Sequence, residues 1–582
     1  MNIFFKSLDV LTNSQKKYLV VIFILVLINI LVETLSLGLI LPIVALLIDY
    51  ERLISYEVVS SLIIFFDLST QNKIILYGLV LLVLVYLLKN LFLALFSYIQ
   101  ADFVFKINLS VSNQLFSFYL SQPYLFHLNK NSAELIRNVS SESSRLVDTI
   151  KALMNLIIEV LVLVFILALL IYVEPFAATL TFLIIGISGL IFNLISRRPI
   201  LNLGKQRLIY TSEVLKNLLQ GLNSIKETLI MWKQQSFLNE FYFSQSMVLK
   251  ATKNHSFITS LPRLFFEMIA LIGLTVMIMI MLNSGQKINN ILPTLSLFAV
   301  AALRILPGVH KIIHSIQVIQ YTKPSLEIIF NEFKNNNVSL KEIKSKTFYE
   351  KRNNNVNFAN FKKITLENVS FHYPSTKKTI LNNINIEINR NTSIGIIGES
   401  GSGKSTFVDI FLGLLKPQKG NLFIDDTKIQ ENLKSWQTNI GYVPQFVFLS
   451  DDTIRGNIAF GVSENEIDNK KINRCLKIAQ LDNFVNELPN GSYTSIGENG
   501  ARLSGGQRQR IGIARSLYNN PEVLVFDEST SSLDSKTERN FIQVVRELQK
   551  EKTIIIVSHR LTSVKYCNII LKIENGKIYE QK

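Results

Sequence analysis

The chain has 582 residues, room for several domains, and its 60 Lys and Arg against 44 Asp and Glu give a net charge of +16 at pH 7. Its two cysteines, Cys475 and Cys567, exclude a disulfide-stapled scaffold and read as buried side chains in a reducing compartment. The mean hydropathy of +0.30 averages two unlike halves: long apolar runs dominate residues 18 to about 320, while 331–582 read as a charged α/β protein, so the basic excess belongs to loops beside membrane spans and not to a nucleic-acid surface.

In chain order, residues 3–17 form an amphipathic start, from Ile3-Phe4-Phe5-Lys6 to Lys17, that suits a helix lying along the membrane interface. Crossing roughly 30 Å of hydrocarbon takes about 20 apolar residues, and six segments qualify: 18–48, 74–99, 152–172, 176–196, 259–282 and 292–319. The first is too long for a signal peptide and lacks a small-residue cleavage site. The connections alternate between short (49–73, the turn at Glu174-Pro175, and 283–291) and long (100–151 and 197–258). The 197–258 loop carries Arg197, Arg198, Lys205, Arg207, Lys216, Lys226, Lys233, Lys250 and Lys253, whereas the turns after spans three and five carry only Lys287. Positive-inside bias therefore places both long loops and both termini in the cytoplasm. Between the first two spans, Ile54, Val58, Leu62 and Phe66 recur every four residues, the pattern of a short helix lying on the outer surface.

Arg304 lies about 20 Å into the sixth span by helical rise, too deep for an interfacial anchor. Arg304, Gly308, Lys311 and Ser315 share one helix face by their spacing. Charge at that depth is costly and usually faces a wet cavity. Two readings stand side by side. Arg304 and Lys311 receive an anionic cargo, or Arg304 pairs with Glu33, Glu159 or Glu267 and serves helix packing. Lys89 is open to the same pair of readings. His310 and His314 have metal-compatible spacing but no third ligand in the sequence nearby.

A polar, Asn- and Lys-rich linker at about 331–360 separates a membrane domain, 1–330, from a soluble domain, 361–582. The alternation over Ile364-Thr365-Leu366-Glu367-Asn368-Val369 predicts a strand, and Ser393-Ile394-Gly395-Ile396-Ile397 predicts a buried one. The latter leads into Gly398-Glu399-Ser400-Gly401-Ser402-Gly403-Lys404-Ser405 and Thr406, the phosphate-loop pattern G-x-x-x-x-G-K-[ST]. Its glycines let backbone N–H groups close around phosphates, Lys404 reaches the terminal ones and Ser405 offers a hydroxyl to Mg²⁺. The helix starting near Lys404 adds partial positive charge there. Further on, Ser504, Gly505, Gly506 and Gln507 open another helix, whose N-terminal N–H groups form a second anion site. Val523-Leu524-Val525-Phe526 is an apolar strand ending on Asp527, which can hold Mg²⁺, and Glu528 follows as a carboxylate able to polarise an attacking water.

The phosphate loop, then Leu503-Ser504-Gly505-Gly506-Gln507, then the strand ending Asp527-Glu528, in that order, make the chain resemble an ATP-binding cassette (ABC) protein. Six spans with two long cytoplasmic loops and a fused cassette resemble the exporter class. The fold this implies is an α-helical membrane domain of six transmembrane helices followed by an α/β P-loop cassette. By the same resemblance, Tyr373 stacks on adenine and Gln445 is the Q-loop glutamine touching Mg²⁺ or the attacking water. Ser532-Leu533-Asp534 is the D-loop, and His559 contacts the γ-phosphate. Glu528, Gln445 and His559 form the catalytic set; Ser405, Gln445 and Asp527 hold Mg²⁺ with the bound ATP. The signature of one copy closes on ATP bound by the other. With one cassette per chain and every catalytic position intact, this favours a homodimer in the bacterial inner membrane, with a heterodimer as the alternative. Coupling helices fall near 123–129, where Pro123 starts a turn, and near 221–227, where Gly221 breaks the preceding helix.

The cargo rests on less. Pro123-Tyr124-Leu125-Phe126-His127-Leu128 with 131–138, and Ala301-Ala302-Leu303-Arg304-Ile305-Leu306-Pro307, resemble bacterial flippases for lipid-linked oligosaccharides (the PglK type). The expected activity is therefore ATP-driven flipping of a lipid-linked oligosaccharide or related glycolipid. Export of another lipid, a drug or a peptide is the alternative, and ATP-gated regulation a third reading.

Overall fold

A computed structural model describes residues 3–39, 71–173, 175–283, 288–335, 358, 360–374, 376, 378–528 and 535–581. The surface helix expected within 50–72 (all but its last two residues), most of the 331–360 linker, and the 532–534 motif lie outside these. The chain divides into two compact units. One comprises residues 1–122 and 130–347, the other 123–129 and 348–582.

The first unit is helical. A short helix, Ile3–Val10, precedes Asn13–Gly38, and the long helices are Gln71–Leu120, Ser143–Val173, Pro175–Asn223, Gln234–Asn283 and Ile288–Asn335. Among the described residues, five helices are long and apolar enough to cross a membrane. The sixth predicted span runs inside Ile288–Asn335. Four of these helices have 48 to 50 residues, about 75 Å at 1.5 Å per residue, well beyond a bilayer's hydrocarbon. Pro199 and Pro262 sit inside them without ending them. Gly221 does not break its helix, which continues to Asn223 and stops at Ser224; beyond it comes the short helix Ile225–Ile230.

Apolar residues ring these helices on all sides. Ile22, Val26 and Ile30 are buried while Val20, Phe23, Ile24 and Leu31 on the same helix are exposed, as expected where the outer solvent is lipid. Leu163, Ile185, Phe266, Val309 and Ile313 form one packed cluster across four helices. Gly204 explains a close crossing: a Cβ there would meet the Tyr321 carbonyl oxygen at 2.2 Å.

The second unit is built on two sheets. An antiparallel sheet, β2-β1-β4-β5, comprises Leu381–Asn389, Lys363–Phe371, Lys419–Ile424 and Thr427–Lys428. The second sheet has the order β10-β9-β3-β8-β7-β6, with β3 Ser393–Ile397, β6 Ile440–Val443, β7 Val523–Asp527, β8 Thr553–Val557, β9 Ile569–Glu574 and β10 Lys577–Glu580. Its strands from β9 to β6 are parallel. Strands β3 and β8 are buried throughout, so both faces are covered and the sequence reads as continuous Ile and Val runs. In such sheets sites form beyond the carboxyl ends of the strands. The ends of β3, β6, β7 and β8 deliver Gly398, Pro444, Glu528 and Ser558 to one edge.

Residues 123–129 belong to this unit although they interrupt the membrane helices in sequence. The helix Tyr124–Asn129 follows Pro123, and Leu125 packs against the sheet core that includes Phe407, Phe411 and Trp436.

Candidate nucleotide site

The phosphate loop runs from β3 into the helix Lys404–Phe411. Gly403 precedes that helix at φ +105°, a conformation L-residues avoid, and a Cβ there would press on Ile380 and Leu381 at 3.2 Å. Lys404 is buried and its Nζ donates to the carbonyls of Gly398 and Glu399 at 2.9 and 2.8 Å. The ammonium thus lies in the cup its own loop makes. Burial draws its pKa down, while Glu528 and Asp527 pull it back up. Tyr373 lies beside the same helix, its Oη 3.3 Å from Thr406 Oγ1, and Phe371 meets its ring edge-on.

Glu528 leaves β7 with φ +46°, a left-handed conformation costing a non-glycine residue about 1–2 kcal/mol. Three contacts fix it there. Its N–H donates to the Val557 carbonyl at 2.9 Å, Gln445 Nε2 donates to its Oε2 at 2.8 Å, and His559 Nε2 stands 2.6 Å from its Oε1. The three residues predicted as catalytic, Glu528, Gln445 and His559, therefore converge on one carboxylate.

Asp527 accepts a hydrogen bond from Tyr442 Oη at 3.3 Å. Burial raises its pKa; the Tyr442 hydroxyl opposes that shift. Nearby Asp409, on the helix after the phosphate loop, is pushed up to about 6 by burial and then by Asp527. The oxygen donors Ser405 and Asp527, with the amide oxygen of Gln445, are the hard ligands a Mg²⁺ ion takes. Among the described residues no group of three or more His, Cys, Asp or Glu could hold a metal ion by itself, so a cation here would lean on the nucleotide's own oxygens.

Ser504 caps the helix Gly505–Leu517. Its Oγ accepts from Gln507 N at 3.2 Å, and Gln507 Oε1 accepts from Ser504 N at 2.8 Å. This capping box spends the Ser504 and Gln507 N–H groups internally and leaves the N–H groups of Gly505 and Gly506 as donors for an anion. Among the described residues, no hydrogen bond joins 504–507 to 398–406.

Residues 381–531 match the ABC transporter family. An ATP-dependent lipid A-core flippase 2 from Colwellia psychrerythraea is 28% identical over 522 residues, 87% of this chain and 84% of that protein. The chain is a transport ATPase of the ABC type. The exporter fold has a solved counterpart in a bacterial Atm1-family ABC exporter with ATP bound, at TM-score 0.76 and 20% identity over 98% of this chain and 95% of that one. A lipid A-core flippase from Pseudoalteromonas atlantica is 39% identical over 220 residues, and the leukotoxin translocation ATP-binding protein LktB of Mannheimia glucosida 41% over 219. Those matches span 38% of this chain and only 37% and 31% of the two proteins. The relatives named here are lipid A-core flippases and a toxin translocator rather than oligosaccharide flippases, so the resemblance to the latter narrows to a likeness with glycolipid flippases broadly.

In this exporter's membrane unit, Arg304 Nη1 donates to Glu159 Oε2 at 3.1 Å and Nη2 to Glu33 Oε2 at 3.0 Å, while Nε also donates to Glu33 Oε1. Lys311 Nζ donates to the other Glu159 oxygen at 2.8 Å. Both carboxylates are buried. The geometry thus shows the ion pairing of the packing alternative, with Glu33 and Glu159 as partners; Glu267 pairs instead with Arg263 on its own helix. Gly308 makes room, since a Cβ there would stand 3.2–3.3 Å from Leu163, Arg304 Nη1 and Glu159 Oε2. Lys89 is buried with its Nζ over the Tyr86 ring at 4.8 Å. The His310 and His314 rings stack at 6.2 Å.

Sequence reasoning missed Tyr442, Asp409 and Arg515, whose guanidinium donates to the carbonyls of Phe448 and Asn457 at 2.8 Å each. Both cysteines are free; burial raises Cys475 to about 11 and Cys567 to about 12, which keeps them as inert thiols.

Proposed function

We propose that this exporter flips a glycolipid with a phosphorylated or pyrophosphate-linked saccharide head across the bacterial inner membrane. The observation that carries the reading is the charged cluster of Arg304, Lys311, Lys89, Glu33 and Glu159 inside apolar helices, three cationic groups against two carboxylates. Lys311 is paired but more than half exposed, so the cluster keeps an accessible positive edge, suited to an anionic head group. The similarity to a lipid A-core flippase, which runs through the membrane half as well as the cassette, supports the same cargo class.

The working unit in this reading is a homodimer oriented with cassettes and termini in the cytoplasm. The signature helix makes no hydrogen bond to the phosphate loop of its own chain among the described residues, which supports a reading in which it completes the site of a second copy. Mg²⁺ would be held by Ser405, Asp527 and Gln445 and would neutralise charge on the phosphate oxygens. Tyr373 stacks on the base, Lys404 leaves its loop carbonyls for the phosphates, and Glu528 accepts the proton of the attacking water while Gln445 and His559 fix its orientation. Phosphoryl transfer depends on positioning and charge stabilisation, so separating the two half-sites stops it. The helix Tyr124–Asn129, docked through Leu125, carries cassette movement to the membrane helices.

The test is reconstitution in vesicles, following ATP-dependent inversion of a fluorescent polyprenyl-pyrophosphate sugar and of a lipid A analogue against drugs and peptides. Inversion of either glycolipid supports the reading. Transport confined to drugs or peptides would replace it with general export.

A further inference from the structure

The residues 440–445 hold both carboxylates of the nucleotide site at once. Strand β6 pairs in parallel with β7, Tyr442 opposite Val525 and Val443 opposite Phe526. Asp527 is two residues beyond Val525 and therefore on the same face. That is the diagonal position a tyrosine on the neighbouring strand can reach, and the Tyr442 hydroxyl donates to Asp527 Oδ2 at 3.3 Å. Three residues later the same segment sends Gln445 to Glu528 at 2.8 Å. Tyr442 is half-buried against the sheet core, and a phenol hydroxyl facing a carboxylate is the donor of that bond.

We propose that Tyr442 is a positioning residue for ATP hydrolysis. Its hydroxyl occupies one oxygen of Asp527 and so leaves the other for the divalent cation, making cation affinity depend on the placement of β6. Ligating carboxylates held by such outer partners lose roughly 10–100-fold in metal affinity or activity when the partner is removed. The inference rests on Asp527 as the cation-holding carboxylate, not on the cargo.

The experiment uses the full-length protein in nanodiscs with a non-hydrolysable ATP analogue, titrating Mn²⁺ and reading free Mn²⁺ by electron paramagnetic resonance. Tyr442→Phe keeps the ring and its packing. It should raise the Mn²⁺ dissociation constant about tenfold and shift the Mg²⁺ requirement of the ATPase upward in parallel, with nucleotide binding in EDTA and the thermal transition unchanged. A wild-type Mn²⁺ constant in Tyr442→Phe overturns the proposal whatever happens to turnover. Asp527→Asn separates the two claims. If it weakens Mn²⁺ binding and Tyr442→Phe does not, only the role of Tyr442 fails; if neither does, the placement of the cation on Asp527 fails as well.

Discussion

At the scale of single residues, the most informative is Glu528, a non-glycine at φ +46° held by Gln445 and His559. A carboxylate kept in a strained backbone by two side chains just beyond other strands is fixed before substrate arrives, which in the proposed mechanism lowers the reorganisation needed in the transition state. Glu528→Gln preserves the shape and removes the base. It should cut ATPase turnover by about 100-fold or more while leaving a closed, ATP-bound dimer that persists on size-exclusion with trapped nucleotide; hydrolysis near the wild-type rate would refute the role. Asp409 carries a pH effect of opposite origin. Its folded pKa, about 6, lies above the ordinary aspartate value of 3.8, so the native state holds its proton more tightly than the unfolded one. Between those values stability falls as pH rises, because the buried group must ionise beside Asp527. Asp409→Asn removes that penalty. Without nucleotide, the variant's unfolding temperature should exceed wild type at pH 8, with the gap closing toward pH 4; an equal offset at both pH values would show that the charge is not responsible.

Among the elements, the long helices are tied by charge as well as packing. Arg304 on Ile288–Asn335 bridges Glu33 on Asn13–Gly38 and Glu159 on Ser143–Val173. Removing one partner from such a buried arrangement strands the others at about 3–5 kcal/mol, whereas neutralising the set together costs far less. Arg304→Ala should therefore lower thermal stability and also reduce cargo-stimulated turnover more than basal ATPase. Adding Glu33→Gln and Glu159→Gln should restore the unfolding temperature but not the cargo stimulation. Recovery of both would assign the cluster to packing alone. The sequence made the face of Arg304 readable through i, i+4 and i+7 spacing, but not its partners, because partner choice depends on which helices meet. Glu267 shows the limit: its arginine is four residues away on its own helix, yet the alternatives across the bundle looked equivalent. The nucleotide site was more legible, since phosphate loop, signature and Asp527-Glu528 are contiguous strings whose chemistry follows from local backbone shape. Tyr442 was not, because its tie to Asp527 exists only through the register of two strands more than 80 residues apart. The docking of 123–129 on the cassette likewise needed tertiary contacts, its sequence showing only Pro123 and an apolar turn.

For the whole molecule, the proposed dimer turns on a signature helix and a phosphate loop that share no hydrogen bond within one chain among the described residues. The signature helix spends its Ser504 and Gln507 groups on its own capping box and offers its next N–H groups outward. The phosphate loop folds Lys404 onto its own carbonyls. In the proposed homodimer, a symmetric pair would set the phosphate loop of each copy against the signature of the other and close without leaving a free half-site. Two inactive variants should then rescue each other. Lys404→Ala destroys a phosphate loop and Ser504→Arg blocks a signature, so each homodimer has two broken sites. In a mixed dimer, one site collects both lesions and the other none. Random assembly from equal expression makes about half the dimers mixed, each with one intact site of two, so ATPase should recover to about a quarter of wild type if the sites act independently. Differential tags that isolate the mixed species should raise that to about half. If each chain hydrolysed ATP within its own boundaries, the mixture would stay as inactive as its parents, because no chain in it retains both a working loop and a working signature.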